Sequence, residues 1–226
     1  MIVEICANSR QSAENALKGG ASRIELCRKL EVGGLTPLVE DIDYCVRQLK
    51  LRTHVLVRPR DGDFCYSPAE YETICGEVEQ CRRLGAHAVV VGFLTPEGRI
   101  DKELTRRIVQ LAAPMQVTFH RAFDEIKQDP VEALEEVIST GCHRILTSGC
   151  QPSAELGIPT LRTLVRQAAG RITILAGAGV TPGNAARIVR ETGVTEIHGS
   201  CKATLPDGTI QTDPETVIQL IKTTTL

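Results

Sequence analysis

The sequence predicts an α/β fold, a (β/α)8 TIM barrel formed by a single domain over residues 1–226. Short runs rich in β-branched residues recur along the chain, and each is followed by a stretch of helical character. The runs begin roughly 28 residues apart, about the length of one strand and helix unit. Such strands pair in parallel, and eight units close into a barrel. The predicted strands lie near residues 2–6, 23–27, 53–58, 88–92, 115–120, 143–147, 172–176 and 195–199.

Capping and turn residues place several of the helices that this fold requires. Ser9 is a suitable N-cap for a helix that ends at Gly19-Gly20. The polar, turn-rich segment 202–212 should form the last loop between a strand and a helix. Four further helices are expected to start at a proline and its preceding polar residue, namely Ser67-Pro68 (ending near Gly85), Asp129-Pro130 (ending at Gly141), Thr181-Pro182 and Asp213-Pro214.

An open, doubly wound sheet is the alternative fold, because it also alternates strands and helices. That fold usually has fewer strands and a glycine-rich dinucleotide fingerprint after the first one. Here the first strand is followed by Cys6-Ala7-Asn8-Ser9, which contains no glycine. The barrel is therefore favoured.

Charge and composition exclude several classes of function. The net charge of −2 and the pI near 6.2 give no basic surface for nucleic acid or an anionic membrane. The longest apolar runs are far shorter than the roughly 20 residues that span a bilayer. Nine cysteines without framework spacing, and no apolar signal segment after Met1, favour a reducing cytoplasm without disulfides.

A repeated tripeptide marks the first two strands. Glu4-Ile5-Cys6 recurs as Glu25-Leu26-Cys27, so each strand carries an acid and a thiol on one face and aliphatic residues on the other. On adjacent parallel strands, Cys6 and Cys27 would lie close together and would suit a soft ion such as Cu(I). The alternative is that both cysteines pack as small apolar residues. No Cys-x-x-Cys or His-Glu-x-x-His motif supports a zinc site.

Strand alternation predicts a polar barrel interior. In this fold the site lies at the carboxyl ends of the strands, where inward residues meet. His54 and Gln116 share the inward orientation but should lie deeper. The alternative is a polar layer that satisfies itself, for example Glu4 or Glu25 paired with Arg58. The inward set is predicted to be Glu4, Cys6, Glu25, Cys27, Arg58, Thr118, His120, Glu196 and His198.

Two loops carry ionisable residues suited to binding and proton transfer. After the third strand, Arg58 and Arg60 could bind an anion through their planar guanidinium groups, or could pair internally with the neighbouring aspartates. After the fifth strand, His120, Arg121 and Asp124 combine groups used in proton transfer at neutral pH. A buried structural histidine is the alternative there.

The loops after strands six to eight are rich in glycine and hydroxyl groups. Barrels often bind phosphate in this region on backbone N–H groups. Ser148, Gly177 and Gly179 are therefore candidate phosphate-binding residues. The glycines could instead relieve crowding where a strand turns.

Six ordered motifs, over nearly the whole chain, resemble those of the CutC family, which is associated by name with copper homeostasis. They are Glu-Ile-Cys (4–6), Arg-Ile-Glu-Leu-Cys (23–27), Gly-Gly-Leu-Thr-Pro (33–37), Arg-Pro-Arg-Asp-Gly-Asp-Phe (58–64), Val-Thr-Phe-His-Arg-Ala-Phe-Asp (117–124) and Ile-Leu-Thr-Ser-Gly (145–149).

The resemblance implies a TIM barrel, a cytoplasmic location, a homodimer or homotetramer, and Cu(I) binding through Cys6 and Cys27. The chain departs from the family pattern in two places. Asp61 stands where the family motif has glycine, which adds a negative charge beside the arginines. The segment that follows Ser200 is also short, so features carried by a longer C-terminal extension are not expected.

Two functions follow as expectations. The first is a copper-handling protein that binds Cu(I) through Cys6 and Cys27. The second is an enzyme acting on a small anionic or phosphorylated metabolite; a noncatalytic sensor or interaction protein is a third possibility. For the enzyme, the candidate catalytic residues are Glu25, His120 and Asp124, and the candidate substrate-binding residues are Glu4, Arg58, Arg60, Arg121, His198, Ser148, Gly177 and Gly179.

Overall fold

The computed structural model describes residues 1–224, which form a closed barrel of eight parallel strands. Each strand pairs with the next one in the chain, and the eighth strand closes on the first. The (β/α)8 fold and all eight predicted strands are thereby confirmed. The strands are β1 (Ile2–Ala7), β2 (Arg23–Leu26), β3 (Arg52–Leu56), β4 (Ala88–Val91), β5 (Gln116–Phe119), β6 (Arg144–Thr147), β7 (Thr173–Ala176) and β8 (Glu196–Gly199).

Helices surround the barrel. Short 3-10 turns, Leu30–Val32 and Arg121–Glu125, follow β2 and β5, and a π-helical turn, Tyr44–Gln48, extends the second helix. Within residues 1–224, no helix is long and apolar enough to cross a membrane. The helices are α1 (Arg10–Lys18), α2 (Val39–Asp43), α3 (Pro68–Leu84), α4 (Lys102–Ala112), α5 (Pro130–Thr140), α6 (Ile158–Ala168), α7 (Ala185–Thr192) and α8 (Pro214–Thr224).

Most predicted helix starts are confirmed by their capping bonds. The hydroxyl of Ser9 accepts a hydrogen bond from the backbone N–H of Ser12 at the start of α1. Ser67 and Glu70 form a reciprocal capping box at the start of α3. The carboxylate of Asp129 accepts two backbone N–H groups at the start of α5. Each cap satisfies N–H groups that the helix cannot bond internally.

The predicted start of α7 at Thr181-Pro182 is wrong. The N-cap is Asn184, and the helix begins at Ala185. The amide oxygen of Asn184 accepts the backbone N–H of Thr181 at 2.8 Å, which closes a turn ahead of the helix. The residues between Pro182 and the start of α7 therefore form this turn rather than the first turn of the helix.

The loop between β8 and α8 contains a small antiparallel hairpin. Its strands are β9 (Lys202–Thr204) and β10 (Ile210–Thr212). The hairpin is tied to α1 because the side-chain amide of Asn15 donates to the carbonyl of Thr212 at 2.9 Å. Segment 202–212 therefore is the predicted last loop, with regular structure of its own.

The barrel has an apolar outer layer and a polar inner one. Residues that point toward the helices, such as Ile5, Ile24 and Val117, are fully buried in one large apolar core. Burying such side chains is the main favourable term in folding. The residues of the opposite parity point into the barrel and include most of the ionisable groups predicted to do so.

Candidate functional site

A buried ion-pair network forms the floor of the barrel interior. Arg23 lies 2.7 Å from Glu4 (Nε to Oε2) and 2.5 Å from Glu196 (Nη2 to Oε2). Arg144 contacts the same carboxylate of Glu196 at 3.0 Å and donates to the side chain of Gln116 at 2.7 Å. These contacts connect β1, β2, β5, β6 and β8. Because both acids are paired, the interior carries little uncompensated charge.

His198 lies directly above this floor. Its Nδ1 is 2.9 Å from Oε1 of Glu4, while Nδ1 of His54 is 3.0 Å from Oε2 of the same carboxylate. Burial alone would raise the pKa of Glu4. The hydrogen bonds of His198 and His54, with the charge of Arg23, instead hold that pKa well below its ordinary value. Glu4 is therefore an ionised group that fixes the orientation of the His198 ring.

Cys6 and Cys27 meet above the polar floor. Cys6 is aligned with Glu25 on the neighbouring strand β2, and Cys27 immediately follows that strand. The two sulfur atoms are 3.8 Å apart, and both side chains are buried. Leu56 and Val90 pack against the sulfurs in a small apolar cluster inside the barrel. The predicted proximity of the two thiols is therefore present in the structure.

Three donor groups of different chemistry converge beside this thiol pair. One ligand atom each from Cys6, Glu25 and His198 lie within 4.8 Å of one another. Burial lowers the pKa of His198, but the charge of Glu25 and the contacts with Cys6 and Glu4 outweigh it and raise that pKa well above 6.5. Burial also raises the pKa of Glu25. The hydrogen bond with Cys27, together with burial, raises the pKa of Cys6 well above 9.0.

Above these donors the barrel opens into a cavity of about 1310 Å³, the mouth cavity. Its volume exceeds what one metal ion requires and falls above the usual range for small-molecule sites. The site residues Cys6, Glu25 and His198 form its base. The charged residues that line it are Glu25, Arg58, Asp63, Arg121, Glu125, Lys127 and Lys202.

His120 also borders the mouth cavity. Its ring packs against Phe64 with the ring centroids 4.7 Å apart, and its Nδ1 accepts the backbone N–H of Ala122 at 3.1 Å. Burial, followed by the charges of Arg58 and Arg121, lowers the pKa of His120 to about 3. The imidazole is consequently neutral at physiological pH.

The two arginines after β3 have different environments. The guanidinium of Arg58 borders the mouth cavity, but its terminal nitrogens donate to the carbonyls of Val32, Gly34 and Gly62. The side chain of Arg60 pairs with Glu70 at 2.5 Å, and also with Asp63, and does not line the cavity. Of these two arginines, only Arg58 therefore lies at the candidate site.

Arg121 and Asp124 form an ion pair at 2.8 Å. The carboxylate of Asp124 is buried and also accepts from the hydroxyl of Thr147 and the backbone N–H groups of Ser148 and Cys150. It binds the loop after β6 to the turn after β5. Arg121 lines the mouth cavity, whereas Asp124 does not.

The three candidate phosphate-binding residues differ in whether they line the mouth cavity. Ser148 is fully buried, and its hydroxyl donates to the carbonyl of Gln151. A side chain at Gly177 would come within 2.5 Å of Leu146, so this glycine allows β7 to pack closely. Gly179 is the one of the three that lines the mouth cavity, and it has a positive φ of 70°.

Some charged residues of the barrel interior and the mouth cavity were not predicted from the sequence. They are Arg23, Arg144, Lys127 and Lys202. Arg23 shares its strand face with Glu25 and Cys27, so strand alternation could have identified it. Lys127 and Lys202 lie outside the barrel strands. Strand alternation gives no information about such residues.

Comparison with known proteins supports the resemblance seen in the motifs. The sequence profile described as the CutC family matches residues 1–203. The chain belongs to the CutC family. A family protein CutC from Bacteroides thetaiotaomicron is 49% identical over 203 residues, covering 89% of this chain and 81% of the relative. The human copper homeostasis protein cutC homolog is 42% identical over 207 residues, covering 92% and 76% of the two chains.

Solved structures agree on the fold. The crystal structure of the CutC protein from Streptococcus agalactiae superposes with a TM-score of 0.84 at 32% identity, covering 88% of this chain and 98% of that one. A thiamine phosphate pyrophosphorylase from Pyrococcus furiosus gives a TM-score of 0.65 at 16% identity, covering 99% and 95%. The second likeness shows a shared barrel fold alone.

Proposed function

We propose that this chain binds Cu(I) at Cys6 and Cys27 and acts in copper homeostasis, as the names of its relatives suggest. The observation that carries the proposal is the 3.8 Å separation of two buried sulfur atoms on neighbouring strands. One ion about 2.3 Å from each sulfur, the usual metal–thiolate distance, spans such a gap. Soft thiolate ligands favour Cu(I) over the harder divalent ions.

The surroundings of the sulfurs fit a soft ion. Leu56 and Val90 belong to the same small apolar cluster as the two cysteines, so the thiols have apolar neighbours. His198 supplies a third donor, because Glu4 holds its Nδ1 and leaves Nε2 on the side of Glu25 and Cys6. A carboxylate that orients a ligating imidazole is a common feature of metal sites. We therefore propose Cys6 and Cys27 as the Cu(I) ligands, with His198 as a further donor on the Cys6 side of the pair.

Competition with a Cu(I) chelator under anaerobic conditions tests the proposal. Removing a residue that only hydrogen-bonds to a metal ligand typically weakens metal binding about 10–100-fold. Cys6→Ser and Cys27→Ser should each weaken Cu(I) binding by more than that, because each removes a ligand. Cys75→Ser, on α3 and away from the mouth cavity, is the matched control, and Arg58→Ala should also leave affinity unchanged. Unchanged affinity in both site variants would rule out this copper site.

A second candidate function is an enzyme acting on a small anionic or phosphorylated metabolite. It is favoured by the presence of the mouth cavity, which has room for an organic molecule, and by the cationic groups of Arg58, Arg121, Lys127 and Lys202 in its lining. Glu25, with its raised pKa, and neutral His120 are the candidate catalytic groups. Incubation with a metabolite mixture should reveal a turnover that Arg58→Ala or His120→Ala abolishes. Turnover that both variants retain would count against this assignment.

We further infer a cytoplasmic location and a homodimer or homotetramer. The nine cysteines, without framework spacing, support a reducing compartment. Leu38 and Val39 are exposed and adjacent in the chain, and contact between copies would bury them. Light scattering of the purified protein would show a mass of two or four chains, and a monomer at micromolar concentration would contradict the oligomer.

A further inference from the structure

The ring of His120 is held in one position by its neighbours. Phe64 and Phe119 pack against it with centroid distances of 4.7 and 6.2 Å. A side chain at Gly92 would place its Cβ 2.4 Å from both Cε1 and Nδ1 of the ring. Only glycine at position 92 leaves room for the imidazole. The position of the ring is therefore fixed by residues at the ends of strands β4 and β5 and in the turn that follows β5.

The hydrogen bond to Nδ1 determines where the ring carries its proton. The backbone N–H of Ala122 donates to Nδ1 at 3.1 Å, so Nδ1 must present a lone pair. A neutral imidazole has one N–H and one acceptor nitrogen, which places the proton on Nε2. Burial and the nearby arginines lower the pKa of His120 to about 3, which keeps the ring in this neutral form.

The resulting Nε2–H group lacks an acceptor. Nε2 is buried and has no hydrogen-bond partner within residues 1–224. A buried donor that is neither hydrated nor bonded is costly, and such groups in native proteins point to a function or an unseen partner. Because His120 borders the mouth cavity, an oxygen atom of a molecule in that cavity would remove the cost.

We propose that His120 is a fixed, neutral donor whose Nε2–H binds and polarises a carbonyl or carboxylate oxygen of a small organic acid in the mouth cavity. A neutral imidazole suits this role because it donates a hydrogen bond to developing negative charge without first giving up a proton. The cavity lining carries four cationic side chains, Arg58, Arg121, Lys127 and Lys202, against three acids, Glu25, Asp63 and Glu125, and this balance favours an anionic ligand. The inference rests on the second candidate function and is independent of copper.

Nuclear magnetic resonance of the histidine rings tests the first half of this inference. Long-range proton–nitrogen spectra should show His120 with its proton on Nε2 at every pH between about 5 and 8, consistent with its buried environment. The His120→Gln spectrum assigns the signal by its loss. A proton on Nδ1, or titration near the ordinary histidine pKa, would overturn the proposal.

Titration with pyruvate and, separately, with inorganic phosphate tests the second half. Pyruvate should shift the Nε2–H signal. His120→Phe should weaken pyruvate binding at least tenfold, while His120→Gln, whose amide can donate from a similar position, should restore part of it. Phe has no polar atom, whereas Gln supplies an amide N–H, so recovery of binding in His120→Gln reports a hydrogen-bond donor at this position.

The outcomes distinguish failure of the role assigned to His120 from failure of the second candidate function. If neither anion binds in the mouth cavity, this inference and the second candidate function both fail. If pyruvate binds equally well to the wild type and to His120→Phe, or if phosphate alone engages the ring, only the role assigned to His120 fails. A pyruvate-dependent shift together with the Gln and Phe difference supports it.

Discussion

The sulfur atoms of Cys6 and Cys27 lie 3.8 Å apart, and a ring nitrogen of His198 lies within 4.8 Å of the Cys6 sulfur. The contact between the thiols and their burial raise the pKa of Cys6 well above its ordinary value. The pKa of His198 is also raised, because the contributions of Glu25, Cys6 and Glu4 exceed the lowering effect of burial. Cys6 and His198 are therefore protonated in the metal-free protein near pH 7.

Cu(I) affinity should consequently rise with pH. A metal binds the deprotonated ligands, so each proton released at binding contributes about a tenfold gain in affinity per pH unit. Chelator competition at about pH 6, 7 and 8 measures the slope, with the chelator's own protonation corrected from a protein-free titration. An affinity independent of pH would show that neither Cys6 nor His198 loses a proton to the ion.

Removing Arg23 should destabilise the fold strongly. Its guanidinium is buried between Glu4 and Glu196, and Arg23→Ala would remove the cation that these two buried carboxylates share. Breaking a buried pair in this way costs about 3–5 kcal/mol. Urea denaturation measures the loss.

Arg47→Ala is the matched control for that experiment. Arg47 is 59% exposed and pairs with Asp43 at 3.2 Å on the surface, so its removal should change the free energy of unfolding by no more than about 1 kcal/mol. Similar losses for the two variants would mean that the interior ion pairs do not stabilise the barrel.

His120 should make the protein less stable as the pH falls. The pKa of this residue is lowered from 6.5 to about 3 in the folded state, mainly by burial. Between these values the unfolded chain binds a proton that the folded protein does not, so stability is lost as the pH decreases. Between pH 7 and 5 this one group should cost about 2 kcal/mol.

Comparing the wild type with His120→Phe isolates the contribution of the imidazole, because the other titrating groups are common to both proteins. The variant should lose less stability between pH 7 and 5 than the wild type. Parallel stability curves for the two proteins would contradict a neutral, buried His120.

Gly92→Ala should be destabilising although it adds a single methyl group. The new Cβ would lie 2.4 Å from the His120 ring and 2.9 Å from the Cβ of Ala122. Overpacking of this kind costs about 1–3 kcal/mol. Gly76→Ala is the control, because Gly76 lies in α3 with open space around it, and alanine should stabilise that helix by up to about 1 kcal/mol. Thermal unfolding that affects both variants alike would refute this steric account.

The sequence was sufficient to predict the barrel because alternation, capping residues and unit length all indicate it. Ser9, Ser67 and Asp129 begin helices as predicted, since each supplies a side-chain acceptor at a helix N-terminus. The start of α7 was misplaced because a turn closed by Asn184 separates the proline from the helix. Capping and turn residues thus predicted the presence of the helices better than the residues at which they begin.

The candidate site was predicted less completely, for physical reasons. Strand parity placed Cys6 and Cys27 on one face, and their register across β1 and β2 brings them together. Parity could not show that Arg60 pairs with Glu70, because that contact joins a loop to α3. Lys127 and Lys202 lie outside the barrel strands and reach the cavity through the path of the chain, which no local pattern specifies.

X-ray absorption spectroscopy of the Cu(I)-loaded protein tests the central claim most directly, because it identifies the atoms bound to the ion. The proposal predicts two sulfur ligands, from Cys6 and Cys27, and one nitrogen, from His198 beside Cys6. His198→Gln should remove the nitrogen contribution and keep both sulfurs. A first shell without sulfur, or a two-sulfur shell that persists in a Cys6→Ser, Cys27→Ser double variant, would contradict the assignment.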